Sequence, residues 1–159
     1  AAAKIPVLAS ALTDLPAGFE DLSSTQSNIG RMKDAGVQVA IGMINERDAH
    51  QLRYSMQYAG NLVALNKVPR ATGLSWDEAF AAISSGPAEI MGVGGQLGSL
   101  KAGRKADVVI WTGDPLELST QVEHVFIDGV KQSLSNRQQR LRERYRNPTE
   151  GALPKAYDR

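Results

Sequence analysis

The sequence predicts an α/β fold in which a strand–helix–strand–helix segment precedes a short β-rich segment. Over residues 1–94, apolar runs with the length of buried strands alternate with stretches of helical periodicity, which is the order of a layer with parallel strands. From residue 95 onward, a strand-like run and the hairpin signal Asp128-Gly129 replace this alternation. The change of pattern places a boundary near residue 94.

Two strand–helix steps are expected in the first segment. The apolar run at residues 7–9 (VLA) predicts a buried strand. A helix is expected over residues 19–34, with Gly36 at the position of a left-handed C-terminal cap. Residues 37–42 (VQVAIG) leave little room for a solvated face, so they predict a buried parallel strand.

Three further helices are expected before the boundary. Asp48 is placed to cap the first, whose apolar stripe consists of Leu52, Met56, Ala59 and Val63. Residues 75–78 (SWDE) form a capping box, which predicts a short helix ending at Ile83. Pro87 is expected to open another helical turn, which ends at Gly92.

The second segment predicts antiparallel strands. Residues 106–112 (ADVVIWT) form a strand-like run, and the runs at residues 122–127 and 130–133 flank the two-residue turn signal. The Asp107 carboxylate is expected to accept backbone hydrogen bonds at the start of the first strand, which is a structural role. Trp76 and Trp111 are expected to be packing residues.

The C-terminal part predicts a basic helix over residues 135–146, with a capping box formed by Ser135 and Gln138, and then an extended arm. Leu134, Leu141 and Tyr145 provide about one apolar contact per turn. This spacing favours a helix lying on its own domain over one that binds nucleic acid. The arginines of the helix are Arg137, Arg140, Arg142, Arg144 and Arg146.

The composition excludes several classes of protein. The 159 residues include 18 basic and 17 acidic side chains, and the resulting net charge of +1 predicts neither a nucleic-acid nor a membrane partner. The absence of cysteine excludes disulfide bonds and thiolate metal sites. Residues 1–7 (AAAKIPV) have neither a signal peptide nor a membrane span, and they suggest a chain that starts within a fold.

Three motifs, in the same order and at the same spacing, resemble those of the amidohydrolase superfamily. Residues 98–109 (GSLKAGRKADVV) resemble the G-S-L-x-x-G-x-x-A-D segment that enters the small β-sandwich of these enzymes. Residues 86–92 (GPAEIMG) are similar to the N-P-A-x-x-L-G turn, with Gly86 in place of Asn, and residues 125–129 (VFIDG) resemble the following hairpin. The similarity covers residues 5–145 and is strongest to the imidazolonepropionase-like branch.

The resemblance implies a C-terminal fragment of a metal-dependent hydrolase that cleaves amide or cyclic amide C–N bonds. Residues 1–94 would form the last two strand–helix units of a (β/α)8 barrel and the following helices. Residues 95–134 would form the C-terminal part of a small β-sandwich, and residues 135–159 a basic helix and an extended arm. The divalent metal, often zinc, would have its histidine ligands before Ala1, so no metal is expected to bind this chain.

The resemblance also implies one catalytic position within the chain. In the superfamily, an aspartate follows the eighth barrel strand in an apolar-Gly-Thr-Asp pattern, but here Met43 and Ile44 occupy the Thr and Asp positions. Asp48 and His50 lie close enough to replace the missing acid. Asp48 is also a suitable helix cap, and His50 is also a suitable solvated residue in the first helical turn. Asn45 is a candidate substrate contact or a turn residue.

Two functions therefore remain open. The chain is either part of a hydrolase for a small amide-type substrate, inactive by itself, or a non-catalytic module for binding or oligomerisation. Its two histidines, His50 and His124, are too few for a zinc site with three histidine ligands. Incomplete barrel strands would expose their edges, so association with the missing N-terminal half or a homo-oligomer is expected.

Overall fold

The computed structural model describes residues 2–11, 18–43 and 51–146. Within them, five short strands form one parallel and one antiparallel sheet, and five α-helices lie between or beside the strands in the chain. This confirms the predicted α/β class. The elements are β1 (Val7–Ala9), α1 (Asn28–Asp34), β2 (Val39–Ile41), α2 (Ser55–Ala64), α3 (Trp76–Ala81), α4 (Ser85–Ile90), β3 (Val108–Trp111), β4 (Val122–Ile127), β5 (Val130–Lys131) and α5 (Arg137–Arg146).

The parallel sheet consists of β1 and β2, as predicted. The register runs from Val7 opposite Val39 to Ala9 opposite Ile41. Beyond the last pair, the Gly42 N–H donates to the Ala9 carbonyl oxygen at 2.9 Å, so the two strands end at the same level. Helices α1 and α4 pack against β2, which leaves Ala40 and Ile41 buried.

The helix predicted over residues 19–34 forms only in its second half. Residues 19–21 form a single 3-10 turn, and α1 begins at Asn28. The preceding hydroxyl groups account for the difference: Thr25 Oγ1 accepts the Ser27 N–H at 3.2 Å, and Ser27 Oγ accepts the Thr72 N–H at 2.9 Å. Such side-chain bonds compete with helical hydrogen bonding. Phe19, which the prediction placed in the helix, is 91% exposed.

The predicted C-terminal cap of α1 is confirmed. Gly36 has a φ of +75°, and its N–H donates to the Lys33 carbonyl oxygen at 2.8 Å. The Val37 N–H donates to the Met32 carbonyl oxygen at 2.9 Å. These two bonds form a Schellman motif, which ends the helix and directs the chain into β2.

Helices α2 and α4 correct three details of the prediction. The N-cap position of α2 is Tyr54 and not Asp48, the residue expected to cap this helix. Leu52 precedes α2 in a 3-10 turn and is 68% exposed, whereas Ala59 and Leu62 are the residues that α2 buries. Pro87 is the third residue of α4 rather than the first. Proline is tolerated there because the first helical N–H groups have no intrahelical partner.

The core contains residues of α1, β2, α2 and α3 and of the connections between elements. Leu116, from the connection between β3 and β4, inserts among these residues although it follows the predicted boundary. The backbone of α2 at Gly60 approaches the same connection so closely that a Cβ would lie 2.4 Å from the Leu116 carbonyl oxygen. The two segments therefore share one core, which contains Ala11, Ile29, Ile41, Ala59, Leu62, Leu65, Leu74, Ala79, Ala82 and Leu116.

The antiparallel sheet has the order β3–β4–β5. Asp128 and Gly129 join β4 to β5 with φ values of +49° and +77°, as a type I′ turn requires. The Asp107 carboxylate accepts the Asp128 N–H at 2.8 Å, which confirms the structural role predicted for Asp107. β5 ends at Lys131, two residues before the end that the sequence predicted.

The C-terminal helix differs from the prediction in its cap and its packing. The capping pair is Asn136 and Gln139, each donating its backbone N–H to the other's side-chain oxygen, rather than Ser135 and Gln138. No residue of α5 is buried, and Tyr145 is 51% exposed. The helix therefore does not cover the described part of its own domain, which corrects the expected docking.

The capping box of α3 is confirmed and lowers the pKa of Glu78. The Ser75 N–H donates to Glu78 Oε2 at 3.0 Å, and the Ser75 hydroxyl also donates to this oxygen at 3.0 Å. The backbone bond from Ser75 contributes most to the lowered pKa, and the hydroxyl bond is next. The Lys33 ammonium group at 3.8 Å acts in the same direction, while slight burial opposes it.

None of the described helices is both long and apolar enough to span a membrane.

The contact of α1 with the loop before α3 predicts an unusual response at Gly30. Replacing glycine by alanine within a helix normally raises stability by up to about 1 kcal/mol. Here the new Cβ would lie 2.4 Å from the Thr72 carbonyl oxygen. We expect Gly30→Ala to lower the free energy of unfolding by about 1–3 kcal/mol in urea denaturation. Gly95→Ala is the control, because a Cβ at Gly95 would meet no atom within 4 Å; equal effects of both changes would contradict the prediction.

The capping box predicts a pH-dependent effect of Glu78→Gln. Because the pKa of Glu78 is lower in the folded chain, its stabilisation is present above the unfolded pKa and is lost as the pH falls through the folded pKa. We expect the substitution to lower the free energy of unfolding by about 0.5 kcal/mol at neutral pH, since the site is partly exposed. The difference from the parent chain should disappear in acid. Urea denaturation across pH measures it, with Glu89→Gln as control; a pH-independent difference would contradict the prediction.

Candidate functional site

The carboxyl ends of β1 and β2 form the edge at which the sequence places its candidate site. Parallel strands in α/β folds bring the residues that follow them to one edge, where sites are commonly built. The structure describes the chain at this edge as far as Met43, which is half-buried, and describes it again from Gln51 onward. Asn45, Asp48 and His50 lie between these two positions, outside the described residues, and their roles remain predictions.

A polar and aromatic cluster begins where the chain returns from this segment. The Arg53 guanidinium group donates to Gln51 Oε1 at 2.7 Å and lies 5.2 Å from the centroid of the Tyr54 ring. Tyr54 and Tyr58 are neighbouring aromatic residues, with ring centroids 6.5 Å apart. This cluster is absent from the predictions made on the sequence, although the spacing of the two tyrosines by four residues was a usable signal.

A shallow cleft of about 120 Å³ lies between the start of α2 and the β3–β4 connection. Its charged lining residues are one cation, Arg53, and one carboxylate, Glu117. Most of the other lining residues are apolar or uncharged. The other residues of the lining are Met56, Gln57, Trp111, Pro115, Leu116, Leu118 and Thr120.

Asp114 links α3 to the β3–β4 connection through hydrogen bonds. The indole N–H of Trp76 donates to the two Asp114 carboxylate oxygens at 3.0 and 2.8 Å. The same carboxylate accepts the Leu116 N–H at 2.9 Å. Trp76 also stacks on Phe80, with ring centroids 5.2 Å apart and an interplanar angle of 13°. The expected packing role of Trp76 is therefore combined with a polar one at a site that stays partly exposed.

Two of the three sequence motifs contact each other. Gly98 has a φ of +82°, and a Cβ there would lie 2.8 Å from both the Ala88 Cβ and the Ser84 carbonyl oxygen. Glycine is therefore required where the first motif packs on α4, which carries the second motif. The Arg104 guanidinium group donates to the Ser99 hydroxyl, which holds the intervening loop together. These residues support the architecture and place no reactive group.

The described residues do not fit a metal centre. They contain no group of three histidine, cysteine, aspartate or glutamate side chains that could hold an ion. His124 lies in β4, where its ring stands edge-on to Phe126 with centroids 6.4 Å apart. A catalytic zinc needs three protein ligands.

Comparison with known proteins agrees with the arrangement of the motifs. The model of the amidohydrolase family matches residues 3–131. The chain belongs to the amidohydrolase family. This membership confirms the resemblance inferred from the sequence. Amidohydrolases are generally metal-dependent enzymes that act on small molecules.

Several relatives resemble parts of this amidohydrolase chain. The amidohydrolase tasK of Hapsidospora irregularis is 42% identical over 60 residues, or 38% of the chain. The imidazolonepropionases of Maricaulis maris (strain MCS10) and Acidiphilium cryptum (strain JF-5) are 31% identical over 98 residues and 42% identical over 45 residues, or 61% and 28% of the chain. The matches span 6%, 23% and 11% of these three relatives, respectively.

A solved amidohydrolase from Thermotoga maritima MSB8 shares the fold. It superposes with a TM-score of 0.67 and 26% sequence identity over 82% of this chain. The match covers 32% of the Thermotoga chain. This amidohydrolase chain thus spans well under two thirds of its relatives and of the solved structure.

The contacts of Asp114 predict a stability effect that depends on its charge. Asp114→Asn keeps the shape of the side chain but removes the carboxylate that accepts hydrogen bonds from the Trp76 indole and the Leu116 backbone. We expect the free energy of unfolding to fall by about 1–2 kcal/mol. Glu117→Gln removes an exposed carboxylate three residues away and should change stability by less than about 0.5 kcal/mol. Urea denaturation followed by tryptophan fluorescence tests this, and equal effects of the two changes would contradict it.

Proposed function

We propose that this chain forms the C-terminal portion of a metal-dependent amidohydrolase that hydrolyses a C–N bond in an amide or cyclic amide. The match of the amidohydrolase family to residues 3–131 carries the proposal. Two relatives are named imidazolonepropionase, which supports a small-molecule substrate of the cyclic amide class. The proposed partner is therefore a small molecule bound by the complete enzyme.

The proposed architecture assigns one role to each segment. Residues 1–94 contribute the last two strand–helix units of a (β/α)8 barrel with the following helices, and the parallel pairing of β1 with β2 supports this. Residues 95–134 contribute a segment of the small β-sandwich, supported by the antiparallel order β3–β4–β5. Residues 135–159 contribute the basic helix and the C-terminal arm.

The proposed contribution of this chain to catalysis is the segment that follows β2. Asp48 would act as the acid or base that a family aspartate provides, with His50 as its alternative and Asn45 as a substrate contact. The two histidines of the chain cannot provide three histidine ligands, so we place the metal ligands in a part of the fold outside these 159 residues. The 159-residue chain alone is accordingly proposed to be inactive.

A second candidate function is a non-catalytic module for binding or oligomerisation. It is favoured by one observation: Met43 and Ile44 occupy the positions of the family Thr and Asp, and neither side chain can accept a proton. In that case, Asp48 would have no role in proton transfer. The two candidates differ in whether Asp48 affects activity or only stability.

The test uses the longest polypeptide that the gene encodes, together with the 159-residue chain. We expect the longest polypeptide to hydrolyse cyclic amides in a metal-dependent reaction. The 159-residue chain should not hydrolyse them even when zinc is added. Asp48→Asn in the active polypeptide should lower kcat by about 100-fold or more, as loss of a general acid or base does. The free energy of unfolding should change by no more than about 1 kcal/mol, which is typical of a single substitution that leaves the core intact.

The matched control is Asp77→Asn, because Asp77 is an exposed aspartate in the first turn of α3 and should leave kcat unchanged. Hydrolysis by the 159-residue chain with zinc would contradict the proposed division of residues. A gene product that holds no divalent ion and lacks a His-x-His sequence would support the non-catalytic module instead.

A further inference from the structure

The helix α5 presents an unusually basic surface. Its five arginines and one glutamate give it a net charge of +4, so the remainder of the sequence carries −3 of the total of +1. Among the described residues, its only ion pair joins Arg146 to Glu143 at 3.9 Å, and both partners are exposed. Residues separated by three, four and seven positions share a helix face. The basic helix face defined in this way consists of Arg137, Arg140, Leu141, Arg144 and Tyr145.

A surface of opposite charge surrounds the N-terminal turn of α3. The stacked rings of Trp76 and Phe80 are 39% and 37% exposed, although most aromatic surface is normally buried. Three exposed acidic residues adjoin them. Asp77 follows Trp76 in the chain, the Asp114 carboxylate accepts the Trp76 indole N–H, and the Glu117 N–H donates to the Asp114 carbonyl oxygen at 3.1 Å. The acidic-aromatic face consists of Trp76, Asp77, Phe80, Asp114 and Glu117.

The neighbouring cations leave this acidic charge largely uncompensated. Arg53 shares a cleft with Glu117, but its guanidinium group is bonded to Gln51 and lies over the Tyr54 ring. Lys33 is paired with Glu78, which is outside the acidic-aromatic face. Within the described residues, no ion pair therefore involves Asp77, Asp114 or Glu117.

We propose that the basic helix face of one copy of this chain docks on the acidic-aromatic face of a second copy. Both surfaces are exposed within one copy, since α5 buries no residue and does not cover Trp76. Leu141 and Tyr145 lie between arginines, so the complementary surface must offer apolar area as well as negative charge. The stacked rings supply this area, whereas a phosphate backbone supplies charge alone.

The size of the contact favours a reciprocal arrangement. A ten-residue helix is about 15 Å long, so a single docked face buries less than the roughly 800 Å² per partner that is typical of stable complexes. Two copies that each donate α5 to the other make this contact twice and form a closed dimer with two-fold symmetry. The pairing of exposed charges makes the dimer sensitive to salt. This inference is independent of the proposed hydrolase function.

Sedimentation velocity on the 159-residue chain at low and high salt tests the dimer. We expect dimers at low salt and a lower dimer fraction at high salt. One double variant, Arg137→Glu with Arg144→Glu, reverses two charges of the basic helix face. The other, Asp77→Lys with Glu117→Lys, reverses two charges of the acidic-aromatic face. Each double variant alone should dimerise at least about tenfold more weakly than the parent chain, since two charge pairs become repulsive in each contact.

Mixing the two double variants provides the decisive measurement. In a mixed dimer, the helix face with reversed charges contacts the acidic-aromatic face with reversed charges, and the two unchanged surfaces contact each other. Both contacts then join opposite charges, so association should return at low salt. The control variant Lys101→Glu with Lys131→Glu reverses two exposed charges outside both surfaces and should dimerise like the parent chain. A parent chain that stays monomeric at low salt, or a mixture that stays monomeric, would overturn the proposal.

Discussion

The insertion of Leu116 into the helical core is the contact on which the rest of the arrangement depends. The side chain comes from the connection between two antiparallel strands, yet it is buried with residues of α2 and α3. Its backbone is held from two sides, by the Asp114 carboxylate and by the close approach of Gly60. Because the two segments share this core, the change of pattern near residue 94 marks a change of architecture within one folded unit.

Glycine makes the close approaches around this core possible. At Gly60, Gly73 and Gly98, a Cβ would lie within 3 Å of a backbone carbonyl oxygen of another element or loop. Each contact brings two backbones closer than any other residue allows, in a fold whose elements have only two to ten residues. Gly98 also joins two of the sequence motifs, so their common occurrence has a direct packing reason that does not involve catalysis.

The elements that the sequence predicted correctly are those determined by local chemistry. Gly36 ends α1, the Ser75 capping box begins α3, and Asp128-Gly129 forms the hairpin turn, each within a few residues of chain. The predictions were wrong where contacts between residues distant in the sequence determine the local structure. Ser27 bonds to a backbone group 45 residues away instead of beginning a longer helix, and the apolar residues of α5 lack a covering surface within the described chain.

The candidate site was the least predictable part for a related physical reason. Burial constrains a strand, because each of its side chains must fit a shared core, and β2 accordingly follows its sequence pattern. The segment between Met43 and Gln51 faces no such constraint from periodicity. Its residue types can suggest chemistry, whereas their spacing does not fix geometry. The resemblance to the family adds one expectation at this point: an acid would stand at the position of Ile44, whose side chain cannot accept a proton.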